Sequence, residues 1–204
     1  MVGNYTMNND NKKLICFIGV MGSGKSFRTK KLCKEDKNFV EINVADSLRN
    51  VVWKVIGWKP PTEERYELFK ESMFISSSLP SVRFSGRDLL QRLGTEGIRS
   101  IDSDFWINAW KNSVYDSIYF NDKSVVCSDV RFTNEVYAAL ELENKNIHVD
   151  FVFCDYKSNR YDSKSKHESE KLAQWIKKTY PDLKDGDIIP KSILYQISKN
   201  PELL

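Results

Sequence analysis

The residues best suited to chemistry form a short glycine-rich segment near the N-terminus. Gly19-Val-Met-Gly-Ser-Gly24-Lys25-Ser26 matches the pattern G-x-x-x-x-G-K-[ST] at every specified position. It follows an apolar run, Leu14 to Ile18, and opens an amphipathic segment, which is the strand, loop and helix order that such a motif needs. Inward-pointing main-chain N–H groups and the positive end of the helix would hold phosphate oxygens. The segment therefore predicts a P-loop that binds ATP.

Side chains of this loop have separate expected tasks. Lys25 is expected to bridge the β- and γ-phosphates, and the Ser26 hydroxyl is expected to bind Mg²⁺. The residues expected to contact ATP are Gly19, Met21, Gly22, Ser23, Gly24, Lys25, Ser26 and Phe27. Because kinases, GTPases and regulatory ATPases share this loop, it does not by itself define a reaction.

An aspartate follows a later apolar run. Val125-Val-Cys-Ser-Asp129-Val-Arg131-Phe-Thr-Asn-Glu135 places Asp129 at the carboxyl end of a predicted buried strand, where ligands of open α/β sheets bind. Asp129 is expected to hold a Mg²⁺-bound water or to orient the acceptor oxygen. The alternative is a helix N-cap. Arg131 and Glu135, one helical turn apart, are also compatible with a surface ion pair.

Cationic and aromatic residues supply further candidates. The segment 83–99 contains four arginines, whose guanidinium groups match phosphate oxygens two at a time, although a solvated helix face explains them equally well. They are Arg83, Arg87, Arg92 and Arg99. The tryptophans Trp53, Trp58, Trp106 and Trp110 offer flat surfaces for a base, or else belong to the core. Arg160 lies among lysines in a polar segment that could cover the phosphates or be an ordinary charged loop.

The elements that must position these residues alternate along the chain. Predicted strands are Leu14–Ile18, Phe39–Asn43, Val125–Ser128, Val149–Cys154 and, more weakly, Asp187–Ile189. Predicted helices are Lys25–Lys34, Ala45–Ile56, Glu63–Ser77, Gly86–Arg99, Asp104–Ile118, Asn134–Glu143 and Glu168–Thr179, with a last one near Ser192. This order predicts an α/β protein with a five-stranded parallel sheet covered by helices.

The predicted domain organisation is simple. Residues 1–12 are expected to be a flexible N-terminal tail, and 13–204 a single domain. Its core comprises 13–45 and 122–204. The all-helical stretch 46–121 is too long for a simple crossover, so it is interpreted as a substrate-binding insertion. A lid loop is expected at about 155–166.

Composition excludes several classes of protein. With a net charge of +3 over 204 residues, the chain is no general polycation, so stable nucleic-acid binding is not expected. The N-terminal apolar run is too short for a signal peptide or a membrane span. Because the four cysteines form no C-x-x-C pair and three lie in apolar runs, we expect a cytoplasmic protein without membrane association.

Five motifs occur together in a recognisable order. After the P-loop come Ala45-Asp46-Ser-Leu-Arg49, then Gly86-Arg-Asp-Leu-Leu-Gln-Arg-Leu-Gly-Thr-Glu-Gly-Ile-Arg99 with Asp104-Phe-Trp106, then Asp129-Val-Arg131-Phe-Thr-Asn-Glu135, then His167-Glu-Ser169-Glu170. This combination resembles the phage-type deoxynucleoside monophosphate kinase family, P-loop enzymes related to cellular nucleotide kinases and dephospho-coenzyme A kinases. The resemblance covers about Leu14 to Glu170.

The resemblance implies a three-layer P-loop nucleotide kinase fold whose helical insertion binds the nucleoside monophosphate. It implies ATP and Mg²⁺ as cofactors, catalytic roles for Lys25, Asp129, Arg131 and Arg160, and metal binding by Ser26 and, through water, Asp129. The implied acceptor-binding residues are Asp46, Trp53, Arg87, Gln91, Thr95, Arg99, Trp106, Arg131 and Glu135. A phage origin and a homodimer are implied only in the same way.

Other functions remain open at this level. A P-loop kinase for a ribonucleotide or for dephospho-coenzyme A would share most of these motifs. A regulatory ATPase or a switch protein is the alternative from another class. Against a GTPase, the sequence lacks an [NT]-K-x-D segment, and against a DNA translocase it lacks a basic tract and a second nucleotide motif.

Overall fold

A computed structural model describes residues 12–75, 83–155 and 170–199. The strands are β1 (Lys13–Ile18), β2 (Phe39–Glu41), β3 (Met73–Ile75), β4 (Arg83–Ser85), β5 (Ser124–Cys127) and β6 (His148–Phe153). The helices are α1 (Lys25–Glu35), α2 (Asp46–Ile56), α3 (Glu63–Glu71), α4 (Gly86–Gln91), α5 (Arg99–Ile101), α6 (Phe105–Tyr119), α7 (Thr133–Glu141), α8 (Lys171–Thr179) and α9 (Lys191–Lys199). A π-helical segment, Arg92–Ile98, precedes α5, and a 3₁₀ turn, Leu142–Lys145, follows α7.

The chain divides into two compact units. The insert unit is Ala45–Ala109, and the sheet unit contains the residues up to Val44 and from Trp110 onward. The insert unit therefore ends earlier than the 121 expected from the sequence. The physical reason is helix α6, whose second half is buried in the sheet unit through Trp110, Val114 and Ile118, at helical spacing.

A parallel sheet of four strands forms the centre of the sheet unit, in the order β2-β5-β1-β6. Its inner strands read as continuous apolar runs because both faces are covered, and all four residues of β5 are buried. Leu14 of β1 pairs with Val125 of β5 and with Val149 of β6. The residues after β1 and after β5 consequently lie at the same edge of the sheet.

The predicted fifth parallel strand, Asp187–Ile189, is not a strand of this sheet. Ile188 instead forms an isolated antiparallel bridge with Val152, and the Ile189 amide donates to the Phe151 carbonyl at 2.7 Å. Gly186 turns the chain into this contact with φ of 96°, and Pro190 ends it because proline has no N–H to continue a ladder. Among the described residues the parallel sheet therefore has four strands.

The sequence predicted an all-helical insert unit, and this prediction is wrong because the unit also contains two paired strands. Helix α3 ends at Glu71 instead of Ser77, because Ser72 adopts an extended backbone and its hydroxyl donates to the Leu68 carbonyl at 2.7 Å. Strands β3 and β4 then pair antiparallel, with Phe74 opposite Phe84. A cluster of Val52, Trp53 and Phe69 forms the apolar centre of this unit.

The predicted helix Gly86–Arg99 is interrupted. Helix α4 begins with a capping box in which Ser85 and Asp88 exchange hydrogen bonds, and the chain changes to π-helical geometry at Arg92. Single π-turns inside helices are frequent at functional sites. The other predicted helices begin and end within about three residues of the observed ones, except that Glu168 lies outside the described residues.

Over residues 12–75, 83–155 and 170–199, no helix is both long enough and apolar enough to span a lipid bilayer.

Candidate functional site

The loop between β1 and α1 has the backbone geometry of an anion cradle. Gly22 and Gly24 have φ of 80° and 86°, a left-handed region that glycine enters without steric cost. The Ser23 amide closes a turn onto the Val20 carbonyl at 3.1 Å. A Cβ at Gly19 would collide with the Cys154 carbonyl oxygen and with Ser23 Oγ, so glycine is needed there for space. The first amides of α1 lack intrahelical acceptors, as at every helix start.

Lys25, the first residue of α1, folds back over this loop. Its ammonium donates to the Gly19 carbonyl at 2.5 Å and to the Val20 carbonyl at 2.8 Å, and only 8% of the residue is exposed. The pKa of Lys25 is lowered to about 8, mainly by burial and next by the Arg131 guanidinium, and the charges of Glu170 and Asp129 oppose this shift. Because Arg131 and Asp129 both shift the pKa of Lys25, these three predicted site residues lie close enough to interact electrostatically.

Two hydroxyls beside the loop lack hydrogen-bond partners in the described part of the chain. They are Ser23 Oγ and Thr29 Oγ1, both fully buried. Unpaired buried hydroxyls are uncommon and costly, and at a ligand site they are expected to find partners when the ligand is bound. Ser26 and Phe27 are exposed, Phe27 by 73%, so their side chains are accessible to a nucleotide.

Asp129 follows β5 at the sheet edge where the loop lies, as the sequence predicted. Its Oδ1 accepts a hydrogen bond from the Val44 amide at 2.8 Å and from the Cys127 thiol at 3.4 Å. Burial, with the Asp129 charge beside it, raises the pKa of Cys127 well above its ordinary value, so this thiol remains a protonated donor. These bonds orient the carboxylate through one of its two oxygens.

Glu135 is buried, and its carboxylate contacts the main chain. Its Oε2 accepts hydrogen bonds from the backbone amides of Arg131 at 2.7 Å and Phe132 at 3.2 Å. This carboxylate thereby satisfies amides at the start of α7 and holds the 129–132 turn in place. The burial of Glu135 contradicts the surface position considered from the sequence, and its local role is to position the main chain of Arg131.

A polar network at the same sheet edge was not found from the sequence. Asn43 Oδ1 accepts from the Ser128 amide at 2.8 Å, and Glu41 Oε1 accepts from Asn43 Nδ2 at 2.8 Å and from the Ser128 hydroxyl at 3.1 Å. The network ties the end of β2 to the end of β5, directly before Val44 and Asp129. The available signal was the Glu41-x-Asn43 spacing at the carboxyl end of a predicted strand.

Two tryptophans predicted to contact a base are core residues of the insert unit. Trp53 is 9% exposed and packs edge-on against Phe69, with ring centroids 4.9 Å apart. Trp106 is 4% exposed, and its indole N–H donates to the Gly94 carbonyl at 3.1 Å. Neither ring presents a free face in this structure. The core alternative considered from the sequence therefore describes both.

The remaining predicted acceptor-binding residues are also in the insert unit. Asp46 accepts a hydrogen bond from the Arg49 guanidinium at 2.9 Å, and Arg87 donates to Glu71 at 2.6 Å across a solvent-exposed pair. That pairing raises the pKa of Arg87. Gln91 and Thr95 are exposed, on opposite sides of the change to π-helix, and Arg99 begins α5.

Some predictions lie outside the described residues. Arg160 and most of the lid predicted at 155–166 belong to this group, as does His167. Within the described ranges there is no cluster of three or more His, Cys, Asp or Glu side chains suited to a metal ion. A cation held by phosphates, a hydroxyl and water does not require such a cluster.

Comparison with known proteins gives little further information. No family model matches the chain, and no curated protein matches it either. Among solved structures it is similar to a chain of the structure described as the Pnkp1/Rnl/Hen1 RNA repair complex, with a TM-score of 0.46 and 15% sequence identity. That alignment covers 88% of this chain and 48% of the other, so this chain spans about half the length of its structural neighbour. A likeness this distant carries no argument about function.

Proposed function

We propose that this chain transfers the terminal phosphoryl group of ATP to a deoxynucleoside monophosphate. The observation that carries the proposal is the combination of the glycine loop after β1, the buried Lys25 folded over it, and Asp129 at the end of the neighbouring strand β5. A loop of this kind binds phosphates through main-chain amides. An acidic residue after an adjacent strand is the usual companion of such a loop in nucleotide-dependent phosphotransfer.

The side chains would divide the work as follows. On ATP binding, Lys25 would exchange the carbonyls of Gly19 and Val20 for phosphate oxygens, and it would stabilise the charge of the transferred group. An oxygen of the acceptor phosphate, already a nucleophile, would attack the γ-phosphorus while ADP leaves. Mg²⁺, when bound, neutralises phosphate charge, and Ser26 with Asp129 through water are the residues suited to hold it. Positioning would supply most of the acceleration.

The choice of acceptor rests on the sequence motifs. The Glu135 carboxylate holds the main chain of Arg131, and the Arg131 guanidinium lies near enough to Lys25 to lower its pKa. Arginines of the insert unit, Arg87 and Arg99 among them, are proposed to bind the acceptor monophosphate by paired hydrogen bonds. Since Trp53 and Trp106 are buried, base contacts are proposed to come from other residues of the insert unit.

A panel of acceptors tests this function. The purified protein would be incubated with ATP and Mg²⁺ and each of the deoxynucleoside monophosphates, with ribonucleotides and dephospho-coenzyme A alongside, and ADP formation would be followed. We expect turnover with deoxynucleotides, loss of turnover in Lys25→Ala, and unchanged turnover in Lys31→Ala on the exposed side of α1. Turnover confined to another acceptor would refute the substrate assignment. Acceptor-independent hydrolysis stimulated by DNA would refute the kinase assignment itself.

A further inference from the structure

Glu170 contacts the phosphate-binding loop from the opposite end of the sequence. It directly precedes α8, and its Oε2 accepts a hydrogen bond from the Met21 amide at 2.7 Å across 149 residues of chain. Only 2% of Glu170 is exposed. A glutamate buried this fully is unusual unless its charge is compensated.

The charges around Glu170 supply that compensation. The charge of Glu170 raises the pKa of Lys25. The pKa of Lys25 is also shifted by Arg131, Asp129 and the Cys154 thiol, which lie on the elements around the loop. A bond from an amide to a carboxylate is charge-assisted, and 2.7 Å is at the short end of its distance range. The Glu170 carboxylate therefore has two effects on the loop: it offsets part of the positive charge of Lys25, and it holds the Met21 amide by a hydrogen bond.

The Met21 amide has one hydrogen, and the carboxylate occupies it. This amide consequently points toward the residue before α8, although the sequence predicted Met21 among the ATP contacts. The Ser23 amide is also engaged, with the Val20 carbonyl at 3.1 Å, so an anion would bind other amides of the turn and of the start of α1. By fixing one peptide, Glu170 restricts the orientation of the peptides that follow it in the glycine-rich turn.

We propose that Glu170 is a positioning residue of the nucleotide site: its carboxylate fixes the Met21 peptide and its charge offsets that of Lys25. It acts through these two groups and does not itself contact phosphate. The inference deepens the proposed function and rests on it for its nucleotide-binding part. The tie to Met21 is a separate claim, and the ligand-free protein can test it.

The first experiment needs no nucleotide. In the ¹⁵N–¹H spectrum, the Met21 amide proton of the wild-type protein should lie downfield, and it should move upfield in Glu170→Ala and, by less, in Glu170→Gln. The control Glu141→Gln removes a carboxylate paired with Lys111, elsewhere in the sheet unit, and should leave Met21 unchanged. If Glu170→Ala does not fold, the more conservative variants Glu170→Gln and Glu170→Asp carry the same test. An unchanged Met21 shift in the folded variants overturns the tie.

The second experiment measures ATP binding by calorimetry at pH 7.0. We expect Glu170→Gln, which removes the charge but keeps the shape of the side chain, to weaken binding about fivefold, because the Met21 peptide is held less firmly and the negative charge near Lys25 is lost. In turnover assays the KM for ATP should rise with the dissociation constant, while kcat and the KM for the acceptor change by less than about twofold. Unchanged or tighter ATP binding in Glu170→Gln overturns the proposal, and so does a loss that appears in kcat and not in the KM for ATP.

The two experiments separate the possible failures. If the wild-type protein binds no ATP, the proposed function fails, and the Met21 shifts still decide whether Glu170 holds the loop. If ATP binds and the Met21 shift does not depend on Glu170, the inference fails and the proposed function stands.

Discussion

Replacing Lys25 by methionine should change how the stability of the protein depends on pH. The group is a base whose pKa in the folded protein is about 8, below its ordinary value of 10.5. Between these two values the unfolded chain binds more protons than the folded one, so wild-type stability rises with pH over this interval. Below about pH 8 the folded protein bears the full cost of a buried ammonium. Above about pH 10.5 it bears almost none.

The magnitude follows from the same two values. The difference between 10.5 and about 8 corresponds to about 3 kcal/mol at pH 7, and little discount for solvent applies because Lys25 is 8% exposed. At pH 9.5 about 1.4 kcal/mol of this cost would remain. The methionine side chain has similar length and no charge, so Lys25→Met removes the proton-linked cost. It also removes the bonds to Gly19 and Val20, worth about 1 kcal/mol or more each.

The assay is urea denaturation of wild type and Lys25→Met at pH 7.0 and pH 9.5. Relative to the variant, the wild-type protein should gain about 2 kcal/mol in free energy of unfolding between these two pH values. Any change in the two hydrogen bonds as Lys25 loses its proton is already contained in its pKa, so it adds nothing to this difference. Lys31→Met, an exposed change on the same helix, is the control and should show no comparable gain. If the free energy of unfolding changed with pH in the same way for wild type and Lys25→Met, the claim that the buried Lys25 ammonium destabilises the folded protein would be refuted.

Three further outcomes are expected. Binding of ATP at pH 8.5 should take up about three-quarters of a proton per protein molecule, because the phosphates return Lys25 to its charged form. Calorimetry in two buffers of different ionisation enthalpy measures this uptake, and equal heats of binding in the two buffers would contradict it. Gly19→Ala should lower the free energy of unfolding by at least about 2 kcal/mol, because the added Cβ would collide with the Cys154 carbonyl. Gly57→Ala, at φ of 68° with open space around it, should lower it by about 1 kcal/mol. Equal losses for the two variants in urea denaturation would show that the loop shifts to accommodate the added methyl group. Glu135→Ala should cost about 1 to 3 kcal/mol, since two amides lose a buried acceptor; a loss below about 0.5 kcal/mol would mean that water replaces the carboxylate.

The elements around the P-loop could be predicted from sequence because their signals are local. Strand β5 is fully buried, β1 is largely apolar and buried, and β6 alternates buried apolar residues with more exposed ones. The glycines of the loop are required by positive φ or by close packing. The position of Asp129 followed from one assumption, that its strand neighbours β1, and this pairing is present. Residue type and position in a strand were sufficient there.

The errors came from segments whose conformation depends on distant contacts. Met73-Phe-Ile75 continues an apolar pattern that fits a helix, and only its pairing with β4 makes it a strand. Ile188 carries the apolar signal of a strand, but sequence pattern does not encode the direction in which it meets β6. Trp53 and Trp106 showed that an aromatic residue in a predicted binding insert can equally be its core.

The most informative omission was Glu170. Its sequence block had been noted, but no local rule links it to a backbone amide 149 residues earlier. The main-chain contacts of Glu135 were missed for a related reason. An Arg and a Glu one helical turn apart suggest side-chain pairing, and no local pattern indicates that the carboxylate accepts hydrogen bonds from backbone amides.

The strand order has a consequence for synthesis on the ribosome. Leu14 of β1 pairs with Val125, which is 111 residues later, and with Val149 later still. At about 5–20 residues per second, roughly 6–20 s of translation separate β1 from its first neighbour. The insert unit is made within this delay and has an apolar cluster of its own with which to collapse. The nascent β1 meanwhile has two uncovered edges, which exposes it to chaperone capture or to pairing between polysome neighbours.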